Sequence, residues 1–135
     1  MKLRFVDAGV LIAAVRGTAE VSQRAKEILE DPGQRFASSA FVRLEVLPKA
    51  LYHQQEKETL FYEAFFRAVT AWAPIGGPLI DSALKLATEF GLSALDALHV
   101  GAAIAVGADE LITTERQEKP IHRATRVLVR TINTR

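Results

Sequence analysis

Short β-branched or aromatic runs alternate with longer amphipathic ones along the whole chain. KLRFV (2–6) reads as a buried strand, and GVLIAAVRG (9–17) as a short helix ended by Gly17. Thr18 is placed to cap a second helix, AEVSQRAKEILED, whose Val21, Ala25, Ile28 and Leu29 fall at helical spacing before Pro32-Gly33 stops it. QRFASS (34–39) is a second strand. Ser39 is then the N-cap of AFVRLEVLPKALYH, a helix that Pro48 should kink. QQEKETLFYEAFFRAVTAW reads as a long amphipathic helix with Leu60, Phe61, Ala64, Phe65 and Ala68 on its apolar side. APIGGP is a turn cluster. LIDSALKLATEFG and SALDALHVGAAIAVGA are two more helices, the second apolar on most sides and therefore central. ELIT and RVLVRTI are strands joined by the polar loop TERQEKPIHRAT. Strands alternating with helices predict an α/β chain with a mainly parallel sheet covered on both faces.

Composition narrows the function classes. The 135 residues suit one domain, 1–135, with a sizeable core; 49% are hydrophobic, too many for a disordered chain. No run approaches the roughly 20 apolar residues of a membrane span, and Asp7 interrupts the only stretch that mimics a signal peptide. A cytoplasmic protein is expected. The absence of cysteine removes disulfides and thiolate metal sites, so a bound metal must sit on oxygen or imidazole. The net charge of +1 decides nothing about nucleic acid.

Acidic residues carry the candidate chemistry. Asp7 follows the first strand and Glu115 follows ELIT, both at carboxyl ends, where parallel sheets gather ligands. Glu45 lies early in one helix and Asp96 in the first turn of another. Each has an ordinary explanation. Asp7 suits a helix cap, Glu45 an ion pair with Lys49, Asp96 a capping box with Ser93, and Glu115 a charged loop. Taken together, four acids from four segments are expected to meet at one sheet edge. Two carboxylates about 4 Å apart repel by roughly 4 kcal/mol at an effective dielectric of ~20, so such a cluster either raises some pKa values or takes a cation. An oxygen-only cluster suits Mg²⁺ or Mn²⁺, ions that activate water and favour phosphate substrates. His99 is read as a core histidine, with a partnership to the acids as the alternative. His53 and His122 read as surface residues, and Phe61, Phe65 and Trp72 mostly as core.

The order of these motifs resembles the PIN-domain family, in particular the VapC-type toxins of prokaryotic toxin–antitoxin pairs. FVDAGVLIAAV resembles the opening strand with its first acid. SSAFVRLEVLPKAL resembles the second motif, and LSALDALHVGAAIAVGADELITTE the third and fourth, the most specific stretch. The resemblance implies a three-layer α/β/α PIN-like fold and a Mg²⁺- or Mn²⁺-dependent ribonuclease acting on RNA. It also implies a homodimer and a small antitoxin that inserts into the active-site groove. Carried over, Asp7, Glu45, Asp96 and Glu115 become metal ligands, direct or through water, and Thr113 positions the last acid or a water. Arg16, Lys49, Arg116, Lys119 and Arg123 are candidates for RNA phosphates. Two positions depart from the family pattern. Gly9 stands where a small polar residue is common, and Glu115 where aspartate is more frequent. A PIN fold that binds RNA or protein without cutting is therefore the competing expectation.

Overall fold

The first strand, β1 (Leu3–Val6), is buried along its whole length, because parallel pairing on both sides and helices on both faces leave it no contact with water. The computed structural model describes residues 1–134. After β1 come helices α1 (Ala8–Arg16) and α2 (Ala19–Leu29), strand β2 (Arg35–Ser38), helices α3 (Ala40–Tyr52) and α4 (Glu56–Ala68), and a two-residue strand β3 (Ala71–Trp72). Helices α5 (Gly77–Phe90) and α6 (Ala94–Ala105), strand β4 (Glu110–Thr113), a 3-10 turn at Pro120–Arg123 and strand β5 (Leu128–Thr131) complete it. The sheet order is β3-β2-β1-β4-β5 with every pairing parallel. The strands thus run outward in both directions from the β1–β4 pair. That pair is the switch point, beside which open α/β sheets bind their ligands.

Strand pleating explains the three layers. Phe5 pairs with Ala37, and Arg4 with Phe36, so Phe5 and Phe36 project from opposite faces. The Phe5 ring meets His99 of α6 (6.1 Å between centroids), and the Phe36 ring meets Phe65 of α4 (5.8 Å). One face is therefore covered by α6 and its partner α5, the other by helices that include α4. The apolar side chains of both faces form one buried cluster. None of the helices among the described residues is long and apolar enough to cross a membrane.

Several local expectations need correction. Thr18 sits at the α2 N-cap but its hydroxyl makes no capping bond. Helix α3 runs through Pro48 to Tyr52, the proline costing only a bond to the carbonyl of exposed Leu44. Helix α4 stops at Ala68, and the residues read as its last turn form edge strand β3 instead. Its buried side is Tyr62, Phe65 and Phe66, so Leu60, Ala64 and Ala68 face outward. This side turns inward because Phe65 and Phe66 pack on Phe36 and Trp72, and buried Tyr62 beside them satisfies its hydroxyl by donating to Glu58 (2.6 Å). Trp72 is 42% exposed rather than core.

A buried ion cluster crosses the sheet. Glu110 is almost wholly enclosed, and its carboxylate accepts bonds from Lys2 Nζ (3.0 Å), Arg4 Nε (3.1 Å) and Arg130 Nη1 (3.0 Å). Burial alone would raise its pKa, but the three cations outweigh it and hold the carboxyl below its ordinary value.

Candidate functional site

Asp7 is the first residue beyond β1, and its amide donates to the Ile112 carbonyl of β4 (3.1 Å), which pins it at the switch point. Its Oδ1 accepts from the Val10 amide (3.2 Å), so the acid does cap α1. The cap uses one oxygen and leaves the carboxylate at the mouth of a cavity. That cavity, about 320 Å³, is lined by Asp7, Glu45, Asp96 and Glu115 together with His99 and Thr114. Four chain segments deliver the four acids: the end of β1, the second turn of α3, the first turn of α6, and the residue after Thr114 beyond β4.

Local structure fixes each. Ser39 Oγ accepts from the Val42 amide (3.4 Å) and starts α3 at the depth that brings Glu45 inward. Glu45 is held by His99, whose Nε2 donates to Oε1 (2.6 Å), rather than by Lys49. Ser93 Oγ accepts from the Asp96 amide (3.2 Å) and sets the first turn of α6. Thr113, fully buried, hydrogen-bonds the Asp7 carboxylate and accepts from the Glu115 amide through Oγ1 (3.1 Å). The Glu115 carbonyl accepts from His122 Nε2 (2.8 Å), so His122 is half-buried and braces this loop rather than lying free on the surface.

Electrostatics set Asp7 apart. It is 8% exposed, and burial pushes its carboxyl from 3.8 up to about 6; the Glu45 charge pushes the same way. The Thr113 hydroxyl, His99 and the Val10 amide pull back against that rise. A buried carboxyl held this high lacks enough positive charge beside it to offset its burial. The four carboxylates meet the donor chemistry of a hard divalent cation. Among the described residues no three of these groups form a ready-made ligand set as they stand, and Glu45 is engaged by His99. The lining therefore fits a cation that keeps several of its waters, as Mg²⁺ commonly does.

Two residues singled out in the sequence take on roles that only the structure shows. His99 is 4% exposed, yet its ring anchors an acid on a different helix; the available signal was an imidazole one turn after Asp96 inside an apolar helix. Gly9 leaves no room for a side chain, because a Cβ there would collide with the Thr114 hydroxyl and lie 3.3 Å from Asp7 Oδ1. The signal there was a glycine within a helix, which costs about 1 kcal/mol against alanine and so implies a packing reason. Of the basic candidates, Arg16 is paired with Glu58 (2.9 Å) and Arg123 donates to the Phe90 carbonyl (3.3 Å).

Comparison with known proteins agrees with this architecture. A sequence profile of the PIN domain matches residues 4–124. No curated protein matches the chain by sequence. Among solved structures, the chain is similar to one in VapBC2 of Rickettsia felis, solved bound to a promoter DNA fragment, with TM-score 0.69, 15% identity, and coverage of 96% of this chain and 98% of that one. It is also similar to a chain of DNA-bound VapBC from Salmonella typhimurium (TM-score 0.68, 12% identity, 98% and 99% covered). A chain of a toxin–antitoxin complex from Klebsiella pneumoniae gives TM-score 0.66 at 23% identity, with 85% and 88% covered. At these identities the likeness is one of fold.

Proposed function

Because the chain belongs to the PIN domain family, we propose that it is a metal-dependent endoribonuclease and the toxin of a toxin–antitoxin pair. The observation that carries this reading is the meeting of four carboxylates from four segments in one cavity at the sheet's switch point. Asp7, Glu45 and Asp96 would hold Mg²⁺ or Mn²⁺, with Glu115, exposed and one methylene longer than aspartate, reaching it through water. When bound, such an ion activates water and stabilises charge developing on a phosphodiester. Thr113 fixes the Asp7 carboxylate, and His99 fixes Glu45. Without a cation the same carboxylates repel an RNA phosphate, so substrate binding depends on the ion. The reaction itself adds a water oxygen to phosphorus and releases the ribose oxygen, which takes up a proton.

The test is RNA cleavage by the purified chain in Mg²⁺ or Mn²⁺. Asp7→Asn and Asp96→Asn should abolish it with the fold intact; equal cleavage by wild type and variants would defeat the reading. One observation favours a second reading, a PIN fold that binds without cutting: Glu45 is engaged by His99 and no ligand set is preassembled. Calorimetric titration separates the two, and no Mn²⁺ binding at millimolar metal would support the second.

Partners follow from the surface. Leu44, Leu51, Tyr52 and Leu60 are exposed on α3 and α4, and a cleft of about 430 Å³ between these helices includes Leu51 and Leu60. An apolar strip of this kind suits a small antitoxin. Exposed Ile80 and Leu84, one turn apart on α5, suit a homodimer contact. Residues 1–135 act as one domain in this reading, and an RNA target places it in the cytoplasm.

A further inference from the structure

We propose that Trp72, Arg43 and Arg67 form a subsite that stacks one base of a single-stranded RNA beside the acidic cavity, an inference that rests on the ribonuclease reading. Trp72 pairs with Ser38, and Ser38 stands level with Val6, since Phe5 pairs with Ala37 one step earlier. The Trp72 backbone therefore lies two strands from the residue preceding Asp7, on the same carboxyl edge, roughly 10 Å away at ~4.8 Å per strand. The start of α3 spans the gap. Glu45 lines the acidic cavity, while Arg43, two residues earlier, lines a separate cavity of about 330 Å³ with Trp72, Phe66, Leu47, Glu63 and Arg67.

The chemistry of that second cavity suits a nucleotide. The Trp72 ring is half-exposed and braced by the buried Phe66 ring (5.8 Å between centroids). The Arg43 guanidinium lies over both rings, 5.7 Å from Phe66 and 5.9 Å from Trp72. The exposed Arg43 thus holds its guanidinium against the half-exposed indole rather than extended into solvent. Neither Arg43 nor Arg67 has a carboxylate within ion-pair distance among the described residues, although Glu63 shares the rim. Two unpaired guanidiniums beside an exposed indole match a base with its phosphates, the combination that single-strand binding surfaces use. One indole in a small cavity takes one splayed base and has no access to a stacked duplex. Acids that act on the phosphodiester and a ring that holds a neighbouring base would then share one strand.

The protein carries its own reporter, since Trp72 is its single tryptophan. The Asp7→Asn chain, used to prevent cleavage, is titrated in Mg²⁺ with a short single-stranded oligoribonucleotide of mixed sequence. Tryptophan emission should change and saturate together with the polarisation of the labelled oligonucleotide. Trp72→Ala should weaken binding by roughly tenfold or more, Trp72→Phe should retain most of it, and Arg43→Gln should weaken it and reduce its salt dependence. Far-UV circular dichroism verifies that each variant is folded. RNA that binds without moving the emission, and with the same affinity for Trp72→Ala, would overturn the subsite while leaving the ribonuclease reading intact, and would give this face to a protein partner. A chain that neither binds nor cleaves RNA would overturn both.

Discussion

Replacing Asp7 by asparagine should make the metal-free protein more stable while destroying its proposed activity. The carboxyl is nearly enclosed, and its pKa rises from 3.8 to about 6 chiefly through burial. Those roughly two tenfold steps in proton affinity, at about 1.4 kcal/mol each, amount to about 3 kcal/mol of penalty on the ionised form. Asparagine keeps an oxygen for the Val10 amide and caps a helix as well as aspartate does. Rearranging the bond to Thr113 costs about 1 kcal/mol, which leaves a net gain of about 2 kcal/mol. For a chain of this length that raises Tm by roughly 5–10 °C. The sign follows from linkage. Below 3.8 both folded and unfolded states hold the proton and the wild type bears no penalty. As pH rises from about 4 to 6 the folded state holds the proton more tightly, so wild-type stability is lost, and the loss is complete above about 6. Thermal unfolding in EDTA at pH 8 and pH 4 measures it, the gain from Asp7→Asn being present at pH 8 and nearly gone at pH 4. Added Mg²⁺ should then raise Tm more for wild type than for the variant, which keeps Glu45, Asp96 and Glu115 around the cavity. A variant less stable than wild type at pH 8, or a gain equal at both pH values, would refute this account.

Three further outcomes follow from other contacts. His99→Ala releases Glu45 and should cut RNA cleavage by about 10–100-fold and weaken Mn²⁺ binding by a similar factor, measured by calorimetry, with little loss of helix content. Gly9→Ala forces the Thr114 hydroxyl aside and should cost about 1–3 kcal/mol in urea unfolding, whereas the same change in a Thr114→Ala background should cost far less. Glu110→Gln strips the nearer of two counter-charges from buried Arg4, leaving only Asp31 at 3.9 Å, and should destabilise by about 2–3 kcal/mol. Because the Glu110 carboxyl titrates below its ordinary 4.5, its contribution is present above that pH and lost as pH falls through the lowered value. The gap between wild type and Glu110→Gln in urea unfolding should therefore close under acid.

Periodic stretches were legible because their own residues decide them. The runs at 3–6, 35–38 and 110–113 are enclosed strands, and Ser39 and Ser93 cap their helices as their positions suggest. Local chemistry failed where a distant contact outweighs it. The apolar side of α4 turned because Phe65 packs on Phe36 of β2 and Phe66 on Trp72, and Trp72 joined the sheet by pairing with Ser38. Asp7 as a helix cap and Asp7 as a cavity acid were opposed readings on the page of letters. They are compatible in space, since the cap occupies one carboxylate oxygen and the cavity receives the carboxylate.

The amino-acid order alone determined the alternation of strands and helices, the parallel sheet, and which acids follow its strands or open its helices. These depend on side-chain periodicity and backbone capping, interactions that reach only a few residues. Only the tertiary structure decided that Glu45 leans on His99, that Thr114 fills the space beside Gly9, and that Lys2, Arg4 and Arg130 converge on Glu110. Those partners are far apart along the chain, and their meeting depends on strand order and register, which no local pattern encodes.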